Sequence, residues 1–233
     1  MATWQQNIEV YTREISISDL SSAQLGVIIS DTVNEWVEKA PIELLYKHAS
    51  ESLDLTNSGI NIEDYKVIKV IRDGKLAVLK EVDKHYLFTD TTSLHYASTY
   101  TPVWYVENVG KAEVTGDTAG PYVKVFPLLA TGEEARLYVF RYLESVSASS
   151  ETTVSIPGLP PRMVPLITLS SAEKVLSHKL GMMVHEEEDS EVSQIINQQL
   201  NYVRQQMMEQ ATRIGVGTNQ VENKLQMYTK GQQ

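Results

Sequence analysis

The spacing of apolar residues predicts two helices in the first part of the chain. In the first helix, apolar residues recur at intervals of three and four, as on one face of a helix: Leu25, Ile28, Ile29, Val33, Trp36, Val37 and Ala40. Four residues compete as its N-cap, namely Ser18, Asp19, Ser21 and Ser22. Pro41 ends this helix and can begin a second one, because its missing N–H is not needed in a first turn. The second helix is predicted to run from Ile42 to Leu55, before a turn at Asn57–Gly59.

From about Tyr65 the pattern changes to short strands separated by turns. Asp73-Gly74 supplies the positive φ values of a tight hairpin turn between two apolar runs. Further short segments are rich in Tyr and Val and are separated by Gly, Asp, Asn and Pro: Val103–Val106, Lys111–Thr115, Pro121–Phe126 and Arg136–Leu143. These segments predict an antiparallel β module. The polar, proline-rich stretch that follows is typical of a return connection.

After Pro165 the helical pattern returns in two segments. The first has apolar residues at Leu166, Leu169, Ala172, Val175 and Leu176. The second begins with a cluster of acidic residues, which a helix dipole favours in a first turn, and its apolar positions are Val192, Ile195, Ile196, Leu200, Val203, Met207 and Ala211. The last residues, from Gly215, are polar and have few apolar anchors. Such a tail is expected to be disordered in a free monomer and to be held by a neighbouring chain.

Together these elements predict an α+β fold. A helical body, made of an N-terminal helix pair and C-terminal helices, carries an inserted antiparallel β module and an extended C-terminal tail. We expect the helix pair in residues 1–60, the β module in 61–160, the C-terminal helices in 161–214 and the docking tail in 215–233.

The distribution of charge adds a functional hypothesis. The chain of 233 residues carries a net charge of −10, which argues against a protein that reads DNA sequence, since such a protein needs a basic face. Residues 1–60 hold nine acidic and three basic side chains. These acids either form ordinary solvated helix faces or form a wall that repels DNA, so that a duplex slides past. The candidate channel-facing acids are Asp31, Glu35, Glu38, Glu43 and Glu51.

No pattern in the sequence predicts catalysis. There are no cysteines, so thiolate metal sites and cysteine nucleophiles are excluded. The five histidines do not occur in the spacings of known metal motifs, and phosphate-loop, dinucleotide and serine-hydrolase motifs are absent. We therefore expect a protein that is not an enzyme, has no cofactor and has no membrane span, and that is made in a reducing cytosol.

The stretch from Gln198 to Gln210 is rich in Met and Gln and surrounds an apolar seam. Its methionines fill the protein core in one interpretation. In the other they belong to a contact between subunits, where Met, Tyr and Arg are enriched. The candidate contact residues are Tyr202, Arg204, Met207 and Met208.

The order of these elements resembles the adaptor subunits of tailed bacteriophages, also called head-to-tail connector or neck proteins. Three segments carry the resemblance. They are WVEKAPIELL from Trp36 to Leu45, the strand pair PVWYVENVGKAEV and PYVKVFP in 102–114 and 121–127, and PPRMVPLITLSSAEKVLSHKL from Pro160 to Leu180.

This resemblance implies a structural protein of the virion that is assembled in the host cytoplasm. Its copies would form a homo-oligomeric ring, typically a dodecamer, that joins the portal protein to the tail or to further neck proteins. The helices would line the channel and make passive contact with genomic DNA. The β module would face outward or contact neighbouring rings, and the tail would dock into the portal through Leu225, Met227 and Tyr228.

Two other function classes stay open. One is a stand-alone module that binds a ligand or peptide on an aromatic surface of the β module, formed by Tyr86, Tyr96, Tyr100, Trp104 and Tyr105. The other, less favoured, is a hydrolase with an unusual site. The mass in solution separates the first class from the adaptor, because an adaptor forms a ring of many copies and a stand-alone module is a monomer.

Overall fold

The computed structural model describes residues 2–13, 20–109, 120–148, 156–185 and 190–216. The chain divides into two compact units. The helical unit comprises residues 1–45 and 143–233, and the β module comprises residues 46–142. The fold is therefore α+β, with the β module inserted between two parts of the helical unit.

The helical unit contains five described α-helices. They are α1 (Trp4–Thr12), α2 (Ser22–Lys39), α3 (Ile42–Leu45), α5 (Val164–His185) and α6 (Ser190–Arg213). Of the competing N-caps for α2, Ser21 is the one used. Its hydroxyl accepts from the backbone N–H of Gln24, whose side chain accepts in return from the backbone N–H of Ser21, which closes a capping box.

Burial in α2 and α5 follows the predicted apolar stripes. The buried positions are Leu25, Ile29, Val33 and Trp36 in α2 and Leu166, Leu169, Ala172, Val175 and Leu176 in α5, and Leu45 of α3 is buried as well. Helix α1 was not predicted, although a capping box between Thr3 and Gln6 begins it and Trp4 and Ile8 bury one face. The Thr-x-x-Gln sequence and the four-residue spacing of Trp4 and Ile8 are the signals from which this helix could have been predicted.

The predicted second helix is wrong beyond its first turn. Helix α3 ends at Leu45, and residues Glu51–Asp54 form strand β1. This strand pairs antiparallel with a strand far along the chain, with Glu51 opposite Val139. Exposure alternates along β1 with a period of two, as in a strand. The β module therefore begins at Tyr46, and Glu51 belongs to it rather than to the helix pair.

In its described residues, 46–109 and 120–142, the β module contains two four-stranded sheets. One has the order β1-β8-β3-β4 and the other the order β2-β7-β6-β5. The further strands are β2 (Ile60–Asn61), β3 (Tyr65–Arg72), β4 (Lys75–Leu76), β5 (Val78–Leu79), β6 (Val103–Val109), β7 (Gly120–Phe126) and β8 (Ala135–Arg141). The β5–β6 pair is parallel, and the other described pairs are antiparallel. The predicted strand at Lys111–Thr115 lies outside the described residues.

The two sheets share a core of alternating side chains. Val70, Leu137 and Val139 of the first sheet join Trp104, Val123 and Val125 of the second in one buried cluster. The predicted turn at Asp73-Gly74 is confirmed: both residues have positive φ, and Arg72 pairs with Lys75 across it. A short helix, α4 (His85–Thr89), places Phe88 in a second cluster with Ala97, Val103 and Tyr105. Since Val103 and Tyr105 alternate with Trp104 along β6, this second cluster lies on the other face of that sheet.

The return connection docks on α2 through residues spaced four apart. The side-chain amide of Asn34 donates to the carbonyl of Leu143 and accepts from its N–H, each at 2.9 Å. One turn earlier, Ser30 donates weakly to the carbonyl of Glu144. A further turn earlier, a Cβ added to Gly26 would lie 2.1 Å from the carbonyl oxygen of Val146, so only glycine permits this approach.

Helix α6 ends in a glycine motif that holds the residue after it. Gly215 has φ 72°, its N–H bonds to the carbonyl of Thr212, and the N–H of Val216 bonds to the carbonyl of Ala211 at 2.9 Å. This pair of bonds is a Schellman cap. Val216 is fully buried, so it packs with the helical unit and is not an anchor of the docking tail, contrary to its place in the predicted tail.

Candidate functional site

The five candidate channel acids lie on three different elements. Asp31, Glu35 and Glu38 are on α2, Glu43 is on α3 and Glu51 is on β1. Asp31 and Glu38 are exposed and seven residues apart, so they lie on the same side of α2. Glu43 is also exposed, whereas Glu51 lies 3.7 Å from Arg141 within the β module.

Glu35 differs from the other candidates because two lysines neutralise it. Its carboxylate bonds to Lys39, one turn later on α2, and to Lys174 on α5 at 3.0 Å. Burial by itself would raise the pKa of Glu35, but the hydrogen bonds and charges of the two lysines outweigh it and hold this pKa below its usual value. The pairing joins α2 to α5, so the carboxylate of Glu35 stabilises the helical unit and contributes little outward negative charge.

The candidate contact residues on α6 differ in how free they are to meet a partner. Tyr202 is 41% exposed, and the guanidinium of Arg13 lies 5.0 Å from the centre of its ring. The Nε and Nη2 atoms of Arg204 donate to one oxygen of Glu173 on α5, at 3.0 and 2.9 Å. Met207 and Met208 are half-buried. Tyr202 is therefore the most accessible of the four.

The exposed part of α6 extends toward its N-terminus. Ile195 is 54% and Val192 36% exposed, although both were predicted to lie in the buried seam. The rest of the seam is buried at Ile196, Leu200, Val203 and Ala211, and half-buried at Met207. Two residues of the predicted stripe, Val192 and Ile195, therefore stay uncovered, and the exposed Tyr202 lies on the same side of α6. We call these three residues the α6 flank.

Helix α1 borders the α6 flank. The side-chain amide of Gln199, which follows Ile195 by one turn, donates to the carbonyl of Tyr11 at 2.6 Å. Gln199 is buried by this contact, and Arg13 stacks on Tyr202 a little further along. The end of α1 thus holds the middle of α6 and leaves the apolar residues before it uncovered.

The aromatic residues of the β module do not form one exposed surface. Trp104 is 7% exposed and lies in the core between the sheets, whereas Tyr105 is 7% exposed and lies under α4. Burial, and then the charge of Glu107, raises the pKa of Tyr105. Tyr86 and Tyr100 are strongly exposed, and Tyr96 is partly exposed. Only these three of the five predicted residues can meet a ligand.

The proposed portal-docking residues Leu225, Met227 and Tyr228 lie outside the described residues. In the part of the chain that the structure describes, no group of three or more histidines and acidic residues is arranged to hold a metal ion. None of the described helices is long and apolar enough to cross a bilayer.

Comparison with known proteins does not assign the chain to a family, since neither a protein-family model nor a curated protein matches the sequence.

Proposed function

We propose that this chain is the subunit of a ring-forming adaptor that joins the portal vertex of a tailed bacteriophage capsid to the tail and lines the DNA channel. The observation that carries the proposal is the α6 flank, where Val192, Ile195 and Tyr202 stay exposed beside the buried residues Ile196, Leu200 and Val203. Exposed apolar side chains next to each other on a rigid helix suit a contact with another copy. The resemblance of the chain to phage adaptors supplies the identity of the ring.

The exposed face of α2 supports the DNA channel. Asp31 and Glu38 present two carboxylates on one side of the helix, and a ring would repeat them around its inner wall. Repulsion of DNA phosphates at such a wall keeps a passing duplex from binding. We assign the repulsive role to Asp31, Glu38 and Glu43 because they are exposed. Glu35 and Glu51 are only partly exposed, and their carboxylates face two lysines and an arginine, respectively.

The size of the particle in solution tests the ring. Light scattering and negative-stain electron microscopy of the purified full chain should show a closed ring of many copies. Ile195→Asp should reduce it to monomers without changing the melting temperature, because the side chain is already 54% exposed. Val27→Asp is the matched control, since Val27 is 49% exposed on α2. A wild-type chain that stays monomeric at every concentration, with and without portal protein, would refute the ring.

DNA binding tests the acidic wall independently. The wild-type protein should bind duplex DNA poorly, and the double variant Asp31→Lys, Glu38→Lys should bind it in a salt-sensitive manner. Glu51→Lys serves as the control because Glu51 belongs to the β module. Tight, salt-sensitive binding by the wild-type protein would contradict the proposed wall.

Docking of the tail to the portal can be tested by deletion. Removing residues 217–233 keeps the buried Val216 and the cap of α6, so the melting temperature should not change. We expect the shortened chain to lose its binding to portal protein. Loss of the fold on this deletion would show that the tail packs on its own subunit, and the docking role would then be wrong.

A further inference from the structure

The β module carries a large exposed apolar surface in one stretch of chain. Between Leu76 and Tyr100, which we call the apolar segment, eight large apolar or aromatic residues are at least one-third exposed. They are Leu76, Val78, Leu79, Val82, Tyr86, Leu94, Tyr96 and Tyr100, and Leu94 is completely exposed at 102%.

The apolar segment is a folded part of the module. It starts on β4 and β5, and Val78 of β5 pairs with Val103 of β6. Phe88 and Ala97 anchor its middle, each only 1% exposed against Tyr105. The segment therefore packs on β6 through Phe88 and Ala97, while the eight side chains named above stay exposed.

The two ends of the apolar segment lie beside each other. The ammonium group of Lys75, next to Leu76, donates to the carbonyl of Thr99 at 3.0 Å. It also lies 4.2 Å from the centre of the ring of Tyr100. This contact brings the two ends of the segment together, so the segment folds back on itself and does not run as an open loop.

The exposed area is that of one half of a protein interface. The exposed fractions of the eight residues add up to nearly five whole residues, which at roughly 150–250 Å² for each large side chain is on the order of 1,000 Å². The largest apolar patch on a typical monomer covers roughly 300–600 Å². One partner in a stable complex buries about 800 Å². The summed exposed area of the segment is thus of the size that one partner contributes to a stable contact.

Charge indicates which partner fits. The apolar segment contains Lys80 and Lys84 against Glu81, Asp83 and Asp90, and Lys84 pairs with Glu81. The apolar segment is therefore almost neutral, whereas the chain as a whole has a net charge of −10. Two copies that each carry this net charge repel each other, and a nearly neutral apolar surface is where they can meet at the least electrostatic cost. The protruding Leu94 also suits a protein surface better than a small ligand, which needs a concave site.

We propose that the apolar segment is the surface by which the β module binds a second copy of this chain. The inference deepens the proposed ring and rests on it, since it names a contact between subunits separate from the α6 flank. Each β module would reach the adjacent copy and cover Tyr86, Leu94 and Tyr100.

Sedimentation velocity over a range of concentrations tests this contact in the full chain. Leu94→Asp and Tyr86→Asp place a charge on side chains that are 102% and 66% exposed, so the fold should be kept. The matched control is Leu128→Asp, which is 60% exposed in the same module but outside the segment. Each of the first two variants should raise the dissociation constant of the assembly at least about tenfold, whereas the control should not. An unchanged melting temperature shows that the loss is one of binding.

A second measurement uses the absence of cysteine from the chain. In the variant Leu94→Cys the single thiol can be labelled with a maleimide, and labelling should slow as the protein associates. Leu128→Cys should be labelled at the same rate in the monomer and in the assembly. Equal labelling of both thiols in the assembly would overturn the inference.

The outcomes distinguish this inference from the proposed function. Rings that fall apart on Leu94→Asp support both. Rings that persist in all variants leave the adaptor standing and overturn the role of the apolar segment. A simple dimer that Leu94→Asp dissociates supports the contact and refutes the ring. A wild-type chain that is monomeric at every concentration overturns both.

Discussion

Replacing Arg72 tests whether a buried guanidinium holds one end of the β module together. The side chain of Arg72 is 1% exposed at the end of β3. Its Nε donates to the carbonyl of Pro127 at 3.2 Å, and its Nη2 donates to the carbonyl of Leu128 at 3.3 Å. The guanidinium also pairs with the carboxylates of Asp73 and Glu133. Arg72→Met keeps the apolar stem and removes every one of these bonds.

The expected loss of stability depends on how deeply each charged group is buried. Removing one partner of a buried charge network costs about 3–5 kcal/mol, because the groups left behind lose their bonds without regaining water. The side chains of Asp73 and Glu133 are 35% and 27% exposed, so water can solvate them in part. We therefore expect the lower end, about 3 kcal/mol, in the free energy of unfolding of the β module.

Arg136 is the matched control on the neighbouring strand β8. It also faces two carboxylates, Asp54 at 3.7 Å and Glu134 at 3.8 Å, but its side chain is 52% exposed. Such a surface pair contributes about 0–1 kcal/mol. Arg136→Met should therefore change stability by no more than about 1 kcal/mol.

Hydrogen–deuterium exchange measures the stability of both variants in the full chain. The most protected amides of β3 and β8 report the free energy of opening of the β module, and those of α5 report the helical unit. Arg72→Met should speed exchange in the two strands and leave α5 unchanged. If Arg72→Met lowers the free energy of unfolding of the β module no more than Arg136→Met does, the buried network does not stabilise the module.

Three further predictions concern the helical unit. Gly26→Ala should destabilise it by about 1–3 kcal/mol, since the new Cβ would lie 2.1 Å from the carbonyl oxygen of Val146. Gly181→Ala on α5 should stabilise it by about 0.5–1 kcal/mol, since nothing lies within 4 Å of the new Cβ. Equal melting temperatures of the two variants would contradict this prediction. Trp36→Ala should lower the free energy of unfolding, measured in urea, by about 3–5 kcal/mol. Trp36→Phe should lower it much less, because the buried indole N–H of Trp36 has no hydrogen-bond partner to lose. An equal loss in the two variants would contradict this reasoning. Because the pKa of Glu35 is lowered in the fold from 4.5, its contribution is present above that pH and is lost as the pH falls through the folded pKa. The stability difference between wild type and Glu35→Gln should therefore shrink below about pH 4.5, and a difference that is constant with pH would refute the role of the carboxylate.

The long helices could be predicted because their signal is local and repeated. Helix α2 spans 18 residues and α6 spans 24, so a period of about 3.6 is sampled over many turns. The hairpin turn at Asp73-Gly74 could also be predicted, since two adjacent residues there require positive φ. Short elements lack such repetition. The four residues of α3 and the four of β1 are too few for an apolar pattern to distinguish a helix from a strand. The predicted helix was therefore right for α3 and wrong for β1.

Pairing with distant residues determined the secondary structure where the local apolar pattern could not. Ser50 and the strand after it are held by β8, and this contact across some 90 residues overrides the helical pattern of the segment. The same holds for the candidate sites. The sequence showed Glu35 as one acid among several, and only the packing of α5 on α2 brought Lys174 to its carboxylate.

The sequence by itself determined which residues are apolar, where turns are required and where acidic side chains accumulate. It could not determine which edge of an apolar stripe stays uncovered, because that depends on the width of the face that another helix covers. Ile195 is exposed and Ile196 is fully buried for this reason. Likewise, Trp104 and Tyr105 are neighbours that enter opposite clusters, because the pleat of β6 sends successive side chains to opposite faces of the sheet. Burial is a property of pairs of surfaces, so only the tertiary structure showed which predicted residues are free to meet a partner.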